Sequence, residues 1–145
     1  MKSLFKKISI SSDHAGFKLK EEIKKNLKKK KITVIDLGPQ NNNSVDYPDF
    51  ARKVARSVVA KKSNIGILVC GSGTGMAMSA NKIKKIRAAV CYNKASTSLS
   101  RKHNNANILA LGSRLTKKSV ALKLVNVFLG TKFEGGRHLR RVKKV

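Results

Sequence analysis

Acidic residues are scarce in this chain: 7 Asp and Glu stand against 33 Lys and Arg in 145 residues, a formal charge of +26. Tryptophan is absent and aromatics make up 5% of the chain, which weighs against a base-stacking nucleic-acid platform. The only two cysteines, Cys70 and Cys91, both lie inside apolar stretches, so no disulfide framework is expected and the setting reads as reducing and cytoplasmic. No segment approaches the roughly 18 consecutive apolar residues of a membrane span. The basic start, Met1 to Lys7, is not followed by an apolar run of about 7–15 residues, so no secretory signal is expected there. Three histidines and the few carboxylates are scattered along the chain, and neither a metal site nor a cofactor is expected. The lysines are spread from Lys18 to Lys31, at Lys61-Lys62, from Lys82 to Lys85, at Lys117-Lys118 and at Lys143-Lys144. That spread reads as the Lys, Asn and Ile drift of an AT-rich genome more than as a nucleic-acid footprint. A basic nucleic-acid-binding protein is nevertheless the alternative from another class.

What is present is an ordinary core: 41% of residues are apolar, enough for one domain spanning 1–145. Short β-branched or buried runs at Ile8–Ser11, Ile32–Leu37, Asn64–Cys70, Ile86–Tyr92 and Ile108–Leu111 read as five strands. Between them lie helical patterns: Leu19, Ile23 and Leu27; then Phe50, Ala51, Val54, Ala55, Val58 and Val59 behind Pro48; then Met76–Lys82. Ala95, Leu99 and His103 share a further helical face, and Thr116–Leu129 closes with Val120, Leu124 and Phe128 inward. The alternation predicts an α/β, three-layer, Rossmann-like fold: a five-stranded, mostly parallel sheet with helices on both faces. Such sheets bind ligands at the carboxyl ends of their strands. Asp13-His14, Asp46-Tyr47 and Cys70 to Gly75 all fall in or beside loops on that rim.

The turn Gly71-Ser72-Gly73-Thr74-Gly75, between a buried strand and a helix, is the most informative stretch. Glycines at alternate positions let several backbone N–H groups face an anion. It is no dinucleotide fingerprint, because Met76 stands where the last glycine of G-x-G-x-x-G belongs. It lacks the closing Gly-Lys-Ser/Thr of a Walker loop, and the Arg that a cysteine-phosphatase loop needs is also missing. What remains is Cys70 at a strand end, just ahead of a helix N-terminus, a placement that favours a thiolate base or nucleophile. Taken alone, Cys70 reads first as a small buried hydrophobe.

Cys70-Gly71-Ser72-Gly73-Thr74-Gly75 followed by Met76-Ala77-Met78-Ser79-Ala80-Asn81-Lys82 resembles the central signature of the ribose-5-phosphate isomerase B family. The resemblance extends through Ser12-Asp13-His14-Ala15-Gly16, Asp46-Tyr47-Pro48 and Ser100-Arg101-Lys102-His103-Asn104 with Asn107. It continues in Leu111-Gly112-Ser113-Arg114 and in Glu134-Gly135-Gly136-Arg137-His138 with Arg141. Its relatives act on galactose 6-phosphate or allose 6-phosphate, so a six-carbon substrate is the nearer alternative.

The resemblance implies interconversion of ribose 5-phosphate and ribulose 5-phosphate through a cis-enediolate, a step of the pentose phosphate pathway. That chemistry needs a base, donors for an oxyanion, a ring-opening group and a phosphate clamp. By resemblance Cys70 is the carbon base, and Ser72 shuttles protons on the sugar oxygens. Backbone N–H groups from Gly71 through Gly73 to Gly75 hold the enediolate, and His103, beside Asn104, opens the ring. Asp13 and Tyr47 are sugar contacts; His14, Arg114, Arg137 and Arg141 take the phosphate, with the tail from about residue 131 contributing. The resemblance also implies a homodimer or tetramer with the site at the dimer interface, without saying which subunit supplies which residue. On the residues alone, Asp13 reads equally as a helix cap, Tyr47 as packing, and Arg137 and Arg141 as a solvated basic tail. Cys91 is assigned to packing.

Overall fold

The computed structural model describes residues 2–145. Its elements run in order β1 (Lys7–Ser12), α1 (Phe17–Lys29), β2 (Thr33–Asp36), α2 (Tyr47–Val59), β3 (Ile65–Cys70) and α3 (Thr74–Asn81). There follow β4 (Ala88–Val90), α4 (Lys94–Lys102), β5 (Ile108–Gly112), α5 (Lys118–Gly130) and α6 (Arg137–Val142). The five strands pair in the order β2-β1-β3-β5-β4, and every pairing is parallel. β3 is central and buried along its whole length, as its unbroken apolar run Ile65-Gly66-Ile67-Leu68-Val69-Cys70 requires.

Alternation along the strands divides the core in two. Ile8, Ile10, Ile67, Val69, Leu109 and Leu111 pack under α1 and α5, joined by Phe128 and Cys91. Leu68, Cys70, Ile108 and Ala110 face the other way, under α2 and α3 with Val54, Ala55 and Met76. Each fully buried Ile or Leu contributes about 1.5–3 kcal/mol relative to exposure. The expected fold is therefore the observed one, a parallel sheet with helices on both faces.

Local differences have plain causes. β4 is shorter than the expected Ile86–Tyr92 because it lies at the edge, with β5 as its sole strand partner. On α5 the inward face is Ala121, Leu124, Val125 and Phe128, so Val120 is turned out, as is Val59 at the end of α2. Lys20, predicted by no apolar stripe, is fully buried in α1. Its Nζ donates to both Asp36 oxygens at 2.8 and 3.0 Å and to the Pro39 carbonyl at 2.7 Å. Burial pushes the Asp36 carboxyl up, but the bonds from Lys20 and Lys24 and from the Gly38 N–H outweigh it and hold the group below its ordinary value. This pair anchors the loop that leads to Tyr47.

Strand order changes direction between β1 and β3: β1 is followed by β2 on one side, whereas β3 leads towards β5 and β4 on the other. A crevice opens outside the carboxyl ends at such a point. The residues at those ends are Asp13 and Cys70.

Candidate active site

Cys70 ends β3, and its Sγ accepts the Gly73 N–H at 3.1 Å. Gly73 has φ +82, a left-handed conformation that costs glycine little and turns the chain into α3. The Ser72 hydroxyl accepts the Thr74 N–H at 3.2 Å, and the Ser72 carbonyl accepts the Tyr92 hydroxyl at 3.1 Å. Two turn donors, on Gly73 and Thr74, are thus engaged inside the turn. This narrows the expected Gly71–Gly75 cradle to the N–H groups of Gly71, Ser72 and Gly75.

A cleft of about 430 Å³ opens over this turn, lined by Asp13, Tyr47, Cys70, Gly71, Ser72, Gly75, Arg114 and Leu115. Asp13 closes the turn ahead of α1, its Oδ1 accepting the Gly16 N–H at 2.9 Å, and it lines the cleft. Tyr47 begins α2 and lies against the turn: a Cβ on Gly75 would stand 2.6 Å from its ring. The Arg114 guanidinium lies over Gly71, 3.2 Å from where a Cβ would be. His14 is exposed beside the same rim, and its Nδ1 accepts the Val45 N–H at 3.3 Å. The cleft therefore combines a buried thiol, a carboxylate, a phenol, free backbone donors and one guanidinium.

His103, Asn104 and Arg141 are elsewhere. α4 starts just after the carboxyl end of β4 and runs back along the sheet, so His103, at its far end, lies near the amino end of β5. A second cleft of about 510 Å³ opens there, lined by His103, Asn104, His138 and Arg141 together with Arg87 and Ala88 at the start of β4. Arg137 is exposed on α6, one residue before His138 and on the same short helix as Arg141. Within one chain, the expected site residues are thus split between opposite ends of the strands, the Cys70 group at the carboxyl end of β3 and the His103 group near the amino ends of β4 and β5.

The expectation that histidines and carboxylates are scattered is corrected here. Potential ligand atoms of His103, Glu134 and His138 lie within 4.8 Å of one another, the one such group among the described residues. The two imidazoles are stacked with planes inclined by 9°, so their in-plane lone pairs do not converge on one point. Burial first, then the charges of His103, Arg137 and Arg141, push the His138 imidazole below its ordinary value, with Glu134 opposing. Such cationic surroundings suit an anion better than a divalent metal. His138 had no strong signal in the sequence beyond its place next to Arg137.

A thiol and backbone donors at the switch point of a parallel sheet, with guanidinium groups at both clefts, define an α/β enzyme site for a small anionic substrate. The chain belongs to the ribose/galactose isomerase family, whose pattern matches residues 8–145. It is 44% identical over 140 residues to ribose-5-phosphate isomerase B of Escherichia coli, covering 97% of this chain and 94% of that one. A solved ribose-5-phosphate isomerase B from Clostridium thermocellum superposes with a TM-score of 0.94 at 51% identity, covering 95% of this chain and 93% of that chain. The Mycoplasma genitalium enzyme, solved with bound ribulose 5-phosphate, gives 0.91 at 46%, covering 95% and 92%. No helix of the described residues is long and apolar enough to cross a membrane.

Proposed function

We infer that this chain is an aldose–ketose isomerase interconverting D-ribose 5-phosphate and D-ribulose 5-phosphate, acting as one domain over 1–145. The observation that carries the reading is the Cys70 thiol beneath free backbone donors in a cleft with Asp13 and Arg114. The likeness to enzymes of that name supports it, one of them holding the product.

The chemistry follows from that arrangement. Cys70, as thiolate, removes the proton from C2 of the open-chain aldose. The electron pair forms the C1–C2 double bond, and charge moves to the C1 oxygen, where the N–H groups of Gly71, Ser72 and Gly75 stabilise it. The same sulfur returns the proton at C1 while the O2 proton transfers to O1, a transfer that Ser72 is placed to assist. A base of this kind contributes about 10²–10⁴-fold. Asp13 and Tyr47 orient the sugar hydroxyls, and His14 and Arg114 attract the phosphate.

His103 is assigned to opening the sugar ring, with Asn104 beside it and Arg137 and Arg141 on the phosphate. Because those residues lie at the opposite end of the strands from Cys70, the reading requires a second copy, and each site takes the His103 group from the partner subunit. The assembly is thus a homodimer, or a tetramer built of such dimers. A cytoplasmic place in the pentose phosphate pathway, with no metal or cofactor, fits this chemistry. The lysines spread over the surface then serve at most to draw in anionic sugars, with no specific nucleic-acid partner.

Assay of the purified protein with ribose 5-phosphate and allose 6-phosphate side by side tests the reading. Turnover of ribose 5-phosphate with the higher kcat/KM is expected. Preference for the six-carbon sugar would move the assignment to the hexose branch, and turnover of neither would overturn it.

A further inference from the structure

One amide links Cys70 to a side chain that no motif singles out. The Ser72–Gly73 peptide presents its N–H to the Cys70 sulfur at 3.1 Å. The carbonyl of that same peptide accepts the Tyr92 hydroxyl, also at 3.1 Å. Gly73, with φ +82, imposes little steric restraint on this unit. Were the peptide to turn over, its carbonyl would face the sulfur and repel a thiolate. The Tyr92 hydrogen bond opposes that rotation. It also polarises the amide, strengthening the N–H on its other side.

Tyr92 is itself held on both flanks. Cys91 before it is buried and donates its N–H to the Ala110 carbonyl at 3.2 Å. Asn93 after it caps α4, its Oδ1 accepting the Ser96 N–H at 2.8 Å. Tyr92 is 44% exposed as a residue, so its hydroxyl bond is not a by-product of core packing.

We propose that Tyr92 is a positioning residue for the base: through the Ser72–Gly73 peptide it holds one N–H on Cys70 and thereby stabilises the thiolate. The proposal rests on Cys70 as the base, but it makes a claim about the sulfur that is measurable without turnover.

The test uses the full-length protein carrying Cys91→Ala, so that iodoacetamide reports Cys70 alone. In that background Tyr92→Phe is expected to slow Cys70 alkylation at pH 7 by about two- to tenfold, the equivalent of one neutral hydrogen bond. The midpoint of the alkylation profile should move to higher pH. kcat at neutral pH should fall by a similar factor, with KM for ribose 5-phosphate unchanged. Tyr92→Ala should slow alkylation no further than Tyr92→Phe, since the hydroxyl is the active part. An alkylation profile that superimposes on the parent's overturns the proposal. So does a much larger effect of Ala than of Phe, which would mean that the ring acts by packing. A raised KM with unchanged alkylation also overturns it, by placing Tyr92 on the sugar. Full activity of Cys70→Ala would instead sink the base assignment and leave the alkylation result standing by itself.

Discussion

His103 and His138 stack face to face, their ring centroids 4.2 Å apart and their planes 9° from parallel. The contact joins the end of α4 to α6, and a backbone bond from the Glu134 N–H to the Lys102 carbonyl, 3.1 Å, runs alongside it. The C-terminal tail is thus docked onto the residue assigned to ring opening.

Charge around this stack sets the first prediction. Burial, His103, Arg137 and Arg141 all disfavour protonated His138, while Glu134 favours it. In an NMR titration His138 should take its proton below the ordinary 6.5. Arg137→Gln should raise that midpoint and Glu134→Gln should lower it. Shifts in the same direction for both variants would contradict the arrangement.

The two cysteines should part company. Cys70→Ala is expected to lower kcat by about 10²–10⁴-fold while the protein stays folded. Cys91 is 1% exposed in the core beneath α5, and burial pushes its thiol up from the ordinary range. Cys91→Ala should leave kcat near the parent's and reduce stability by about 1 kcal/mol, the scale of one buried methylene-sized group. If Cys70→Ala keeps more than a tenth of the parent kcat, the proposed base is wrong.

A divided site can be tested by mixing. Cys70→Ala and His103→Asn should each be inactive alone, because every site in either homodimer lacks one group. Refolded together in equal amounts, half of the dimers are mixed and each of those carries one complete site, so about a quarter of parental activity should return. A mixture that stays dead places both groups in one chain's site.

Removing phosphate contacts should act on binding. Arg114→Ala or Arg141→Ala should raise KM for ribose 5-phosphate by about 10- to 150-fold, the value of about 1.5–3 kcal/mol for a charge-assisted bond. Arg140, on the same helix and exposed, provides the control: Arg140→Ala should leave KM nearly unchanged.

The Lys20–Asp36 pair makes an acid-stability prediction. Asp36 has a lowered pKa in the fold, so its contribution is complete above the ordinary 3.8 and is lost as pH falls through the folded value. Asp36→Asn should remove that pH dependence and leave Lys20 buried with only the more distant Glu21 carboxylate, 3.9 Å away, at about 3–5 kcal/mol in urea denaturation at pH 7. Loss below 1 kcal/mol would mean that Lys20 escapes to water.

Much of the fold was legible because buried parallel strands write themselves as apolar runs. Ile65 to Cys70 and Ile108 to Leu111 needed no partner to be found. Strand order was not legible, since pairing is made by backbone groups that every residue shares. Lys20 was missed because a lysine in an apolar stripe reads as surface until its acid, Asp36, is brought across from β2. The Cys70 cleft was legible, as its residues come from adjacent loops on one rim. The separation of His103 from Cys70 was not, because a motif carries residue types and order but not the end of the sheet to which a helix returns. Tyr92 left no trace: among the described residues its hydroxyl bonds to a main-chain carbonyl alone.

The length of α4 has a consequence for how the protein behaves on dilution. A nine-residue helix returning along the sheet carries His103 away from the thiol of its own chain, which on the proposed reading makes a lone protomer an unfinished catalyst. On the proposed reading, activity per chain should fall once the concentration drops below the dimer's dissociation constant. Below that point the rate should scale with the square of protomer concentration, and the strength of self-association becomes a kinetic parameter of the reaction.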